Sequence, residues 1–171
     1  MQPIWRRKFL GLIDSRKVRS AAMPSRMVWK SRQALRVVDG FIAAVNAHDA
    51  RSAAQLLHPD VTYIDSVGGR IRGRDDCALA LERFAHLDDL FTMHIDKKTV
   101  TLPEVLLTGF TTARDPRLAS KTLWRAEVRD GMLYAWQSFG RGNPPPLARM
   151  LMQKRPAPTG GSFASLLVGT P

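Results

Sequence analysis

Leu35, Val38, Phe41, Ile42 and Val45 recur at spacings of three and four, so the segment from Ser31 carries one apolar stripe along a helix. A stripe of this kind needs an apolar surface to cover it. Ser31 is the N-cap candidate, and "NAHD" (46–49) ends the helix. "ARSAAQLL" (50–57) reads as a short second helix stopped by "HPD" (58–60). The period then changes. "VTYID" (61–65) is β-branched and aromatic and reads as a strand, "GG" (68–69) as a turn and "RIRG" (70–73) as a short partner strand. "RDDCALALERFAHL" (74–87) returns to helix, with Cys77, Leu81, Phe84 and Leu87 on its expected buried side. Four β-type runs follow at about 90–101, 105–114, 121–129 and 132–139, with "RDG" (129–131) as a tight hairpin signal between the last two. "DPRLAS" (115–120) is the longer loop before them, and a short helix fits 147–153.

Helix, short helix, two strands, helix and antiparallel meander make an α+β domain with three helices packed on one face of a curved sheet. Such a sheet leaves a blind conical cavity, a natural small-molecule pocket. The expected divisions are a basic N-terminal extension (1–30), the domain (31–140) and a Pro/Gly-rich basic tail (141–171).

The net charge of +11 suggests nucleic acid until it is divided along the chain. Residues 1–36 hold ten basic residues against Asp14, residues 140–171 hold four basic and no acidic ones, and residues 37–139 hold twelve basic and fourteen acidic ones. The domain body is therefore nearly neutral. Nucleic acid is disfavoured as a partner except through the basic tails. One cysteine, Cys77, excludes an internal disulfide and a Cys-rich metal site, which suits a reducing, cytoplasmic location. No stretch has the roughly 18 apolar residues of a membrane helix. "RRKFLG" (6–11) resembles a twin-arginine signal, but its apolar run stops after "FLGLI", so export is not expected. An organellar transit peptide, or a true start at Met23 or Met27, stays open.

No P-loop, no Gly-x-Gly-x-x-Gly and no Gly-x-Ser-x-Gly is present, so neither a nucleotide cofactor nor serine-hydrolase chemistry is expected. His48, His58, His86 and His94 do not combine with acids at metal-ligand spacing, so no metal is expected. Asp65, closing the strand in "TYIDSVGG" (62–69), has two readings. It is a turn former that accepts hydrogen bonds from its own backbone, or a proton acceptor in a pocket wall.

"FIAAVNAHDARSAAQLLHPDVTYIDSVGGRIRGRDD" (41–76) resembles the opening of a SnoaL-like, ketosteroid-isomerase-like domain of the NTF2-like superfamily. The carriers are the apolar helix ending in "NAHD", then "LLHPDV", the aspartate-bearing strand, and "GRIRG" into the next helix. The resemblance spans about 33–139 and implies a cone-shaped antiparallel sheet around three helices, the cystatin-like roll. It further implies homodimers paired through the outer sheet face, and many possible chemistries on one fold. By resemblance to the steroid isomerases, Asp65 falls where a catalytic base removes a proton next to a carbonyl. The helix tyrosine of those enzymes corresponds to Phe41, and their later acid falls near Trp124. Both oxyanion donors are therefore missing, and losing one typically costs about 10²–10³ in rate. Trp124, Tyr134 and His94 are the replacement donors to consider.

Phe41, Val45, Tyr63, Trp124 and Trp136 are the expected pocket residues. Thr122, Trp124, Ala126 and Val128 share one strand face, which makes Trp124 the best inward candidate. Two functions compete. One is a cofactor-independent isomerase, cyclase or dehydratase that uses Asp65 on a hydrophobic carbonyl compound. The other is a non-catalytic binding or dimerisation module.

Overall fold

The computed structural model describes residues 25–153. The extension expected over 1–30 lies outside them up to residue 24, and the tail lies outside them beyond residue 153.

Helix α1 spans Ser25–Asn46 and buries Ala34, Val37, Val38, Phe41, Ile42 and Ala44 along one side. It begins six residues before the expected start, because "SRMVWK" (25–30) contains no helix breaker. Ser31 is therefore not the N-cap; its hydroxyl donates to the Met27 carbonyl one turn back (2.9 Å). Helix α2 (Ala50–Gln55) is capped by Asp49, whose carboxylate accepts from the Ser52 N–H (2.9 Å). Helix α3 (Arg74–Ala85) buries Cys77 and Ala80. Leu81 and Phe84 are partly buried, whereas Leu87 lies beyond the helix end and is 42% exposed, against the sequence expectation.

Six strands form one sheet in the order β2-β1-β6-β5-β4-β3. They are β1 (Leu57–Ile64), β2 (Arg70–Arg72), β3 (Thr92–Thr101), β4 (Glu104–Thr112), β5 (Lys121–Arg129) and β6 (Met132–Gly140). The sheet is mixed rather than wholly antiparallel: β1 and β6 run parallel, with Tyr63 opposite Trp136. Between β1 and β6 the chain runs through β2, α3 and the antiparallel β3–β4–β5 strands, so β6 meets β1 across a crossover and not through a hairpin. The register slips between Leu57 and Thr62, where Pro59 has no N–H to offer the ladder. At the β5–β6 hairpin, Asp130 and Gly131 have φ of 50° and 73°, as a tight turn with two left-handed residues requires. Gly109 faces the β3 irregularity so closely that a Cβ would lie 1.9 Å from the His94 carbonyl oxygen.

Helices and inner sheet face enclose the core, in which Val38, Val61, Val105, Leu107 and Leu133 are essentially inaccessible. Helix α4 (Leu147–Met152) docks on α3 and buries Ala148 and Leu151. The Arg83 guanidinium donates to the Leu151 carbonyl and fixes its end.

Candidate functional site

Between sheet and helices lies a cavity of about 130 Å³. Phe41 and Val45 of α1, Cys77, Ala80 and Leu81 of α3, and Val61, Trp124, Leu133 and Trp136 of the sheet form its apolar wall. Phe41 and Trp136 pack ring on ring, centroids 4.9 Å apart and tilted by 51°. Pro144, Pro145, Leu147 and Leu151 close one side, so α4 forms part of the wall.

Polar groups gather at one end. Tyr63, Ser66, Ser120, Thr122 and Ser138 line the cavity there. Burial, and then the nearby Asp65 charge, push the Tyr63 phenol well above its ordinary range, so it stays an O–H. Burial also pushes the Cys77 thiol up to about 11. Arg117 reaches the same end, but its guanidinium is engaged by the Asp115 carboxylate (2.7 Å).

Asp65 closes β1 and is 2% exposed, yet it is not among the residues lining the cavity. Its Oδ1 accepts from the backbone N–H groups of Val67 (3.0 Å) and Gly69 (2.7 Å). Its Oδ2 accepts from the Ala148 N–H (2.9 Å). One carboxylate thus holds the 65–69 turn and the first turn of α4 together. Gly69 is needed at this spot, since a Cβ there would lie 2.7 Å from Oδ2 and 3.0 Å from the Ala148 Cβ. Asp88 repeats the device, accepting from Leu90 (3.0 Å), Arg114 (3.0 Å) and Asp115 (2.7 Å). Burial works against the Asp88 charge, but the three N–H groups together outweigh it and hold the carboxyl below its ordinary value.

Residues 38–136 match the SnoaL-like domain family. This chain belongs to that family. Solved structures agree on the fold of this SnoaL-like protein. An LEH-like epoxide hydrolase of Mycobacterium tuberculosis superposes with a TM-score of 0.56 at 23% identity, covering 64% of this chain and 83% of that one. A putative ketosteroid isomerase from Kribbella flavida gives 0.57 at 22% identity, covering 75% and 94%. A putative polyketide cyclase from Sinorhizobium meliloti gives 0.55 at 16% identity, covering 60% and 93%. No curated protein matches the sequence.

In this SnoaL-like domain, Phe41, Val45, Tyr63, Trp124 and Trp136 all border the cavity. Tyr134 and His94 do not. Tyr134 packs against His58 (5.2 Å) and beneath the Arg129 guanidinium (3.6 Å), while His94 stacks on Phe110 at the exposed surface (4.6 Å). The hydroxyl end escaped the sequence reading. A signal existed for part of it: Thr122 alternates onto the Trp124 face, and the hairpin register carries Ser138 there too. Among the described residues no group of three or more His, Cys, Asp or Glu could hold a metal ion, and no helix is long and apolar enough to cross a membrane.

Proposed function

We propose that this SnoaL-like protein binds a small, mostly apolar molecule in the cavity without a cofactor, and that Asp65 clamps the cavity rim rather than moving protons. The supporting observation is the cavity itself, an apolar enclosure whose polar groups gather at one end. Among its described lining residues there is no carboxylate and no imidazole to serve as a general base. Tyr63 and Cys77 are held protonated by burial. All three hydrogen bonds to the Asp65 carboxylate come from backbone N–H groups, so taking up a substrate proton would disrupt the turn it holds.

One observation favours a second reading, an isomerase-, cyclase- or dehydratase-type enzyme with Asp65 as base. Asp65 is buried directly beside Ser66, which lines the cavity. A thermal-shift screen of apolar compounds on the wild type, Ala80→Leu and Asp65→Asn separates the two. Binding predicts compounds that stabilise the wild type and not Ala80→Leu, whose longer side chain fills the cavity. If no apolar compound stabilises the wild type, the reading fails. Conversion of a stabilising carbonyl compound by the wild type, but not by Asp65→Asn, would favour the enzyme.

The protein acts as a cytoplasmic homodimer in this reading. The outer face of β4 and β5 carries Phe110, 39% exposed, with half-buried Leu106 and Leu123 set among Thr108, Lys121 and Arg125, a mixed surface on which a second copy would pair. Light scattering should give twice the chain mass, reduced to one by Phe110→Glu; a wild-type monomer at about 100 µM contradicts it.

A further inference from the structure

We propose that the polar end of the cavity recognises one uncharged oxygen function, a ketone or a hydroxyl, on an otherwise apolar ligand; this rests on the reading that the cavity binds such a molecule. The groups there are neutral and adjacent. Sheet register sets Trp124 opposite Ser138, Thr122 opposite Gly140, and Tyr63 opposite Trp136, so three neighbouring strands contribute to one patch. Tyr63 and Ser138 both line this end of the cavity, and the Ser138 hydroxyl lies close enough to the phenol to interact with it. The Ser66 hydroxyl makes a longer contact to Ser138 (3.4 Å) and accepts from the Gly140 N–H (2.8 Å). Across Gly140, Ser120 and Thr122 share a hydrogen bond of 3.0 Å.

Gly140 leaves the space between the Ser66 and Ser120 hydroxyls open. A Cβ there would lie 3.1 Å from the Ser120 oxygen, 3.2 Å from the Ser66 oxygen and 3.7 Å from the Pro144 Cβ. Hydroxyls donate and accept by rotating, so this patch can meet either a carbonyl oxygen or a hydroxyl. The partly buried Tyr63 phenol stays protonated and so remains a donor. Among the described residues none accepts a hydrogen bond from the Trp124 indole, a second neutral donor on the same face. Among the described residues an anionic head group finds no comparable partner. Arg117, the one cation at this end among the described residues, already gives Asp115 contacts of 3.1 and 2.7 Å from its Nε and Nη2. A carboxylate buried here would lose its hydration without gaining a free cation.

The test compares ethylbenzene, acetophenone and benzoate, which share one ring and differ in the head group. A cavity of about 130 Å³ suits a single ring. Dissociation constants come from NMR titrations of the full chain, followed at the Trp124 and Trp136 indole resonances. Acetophenone should bind about fivefold more tightly than ethylbenzene, the range of one net hydrogen bond, and benzoate at least tenfold more weakly than acetophenone. Tyr63→Phe should remove the ketone's advantage and leave ethylbenzene unchanged, and Ser138→Ala should reduce it. Ethylbenzene binding as tightly as acetophenone overturns this proposal and leaves the cavity reading standing. Benzoate matching acetophenone, or both variants weakening all three ligands alike, overturns it too. If no compound shifts either indole, the cavity reading falls with it.

Discussion

Replacing Asp65 with alanine removes the acceptor of three backbone N–H groups at once. Their costs differ. Val67 is exposed, so its N–H can turn to water. Gly69 is half-buried, and Ala148 is 3% exposed and sits in the first turn of α4, where no helical carbonyl can receive its N–H. Stranding two such donors at about 1–3 kcal/mol each gives about 4 kcal/mol for Asp65→Ala. Asp65→Asn retains one acceptor oxygen. With that oxygen serving Val67 and Gly69, the amide nitrogen faces the Ala148 N–H, donor against donor, at about 2 kcal/mol. Urea unfolding should show both losses as a lower midpoint with unchanged slope. The alanine variant should also melt roughly 10 °C lower. An asparagine variant within about 0.5 kcal/mol of the wild type would refute the clamp, because that is the range of substitutions that touch nothing important.

Gly109→Ala should destabilise by about 3 kcal/mol, since its Cβ would meet the His94 carbonyl and force the β3–β4 pairing apart; an unchanged urea midpoint contradicts this. The Cys77 thiol, held up at about 11 by burial against an ordinary 9.0, should react slowly with iodoacetamide at pH 8 and rapidly in denaturant. Because folding keeps this thiol protonated, its contribution to stability is full below about pH 9 and fades as pH rises towards 11. Cys77→Ala should flatten that decline. Asp88 has the opposite sign. Its lowered carboxyl contributes stability above its ordinary 3.8 and loses it as pH falls further, so Asp88→Asn should unfold with a shallower acid dependence than the wild type.

The stripe from Leu35 to Val45, the alternation of Thr122, Trp124 and Ala126, and the turn at Asp130–Gly131 are patterns within single elements. Each requires only that neighbours in sequence share a face or a turn, so the sequence itself carried them. They also placed Phe41, Val45, Tyr63, Trp124 and Trp136 at the cavity, because a side chain large and apolar on an inward face has few other places to go. Asp65 was different. Its position at a strand end was legible, and half its role is the local turn that aspartates commonly make. Its third partner, the Ala148 N–H, lies 83 residues away and exists only because α4 folds back against the 65–69 turn. Likewise, Ser66, Ser120 and Ser138 are unremarkable serines until the parallel pairing of β1 with β6 and the β5–β6 register bring their hydroxyls to one rim. Periodicity determined which face of each element is buried. The tertiary register decided which polar groups meet, because a backbone donor or a serine hydroxyl leaves no mark in the sequence of the partner it will find.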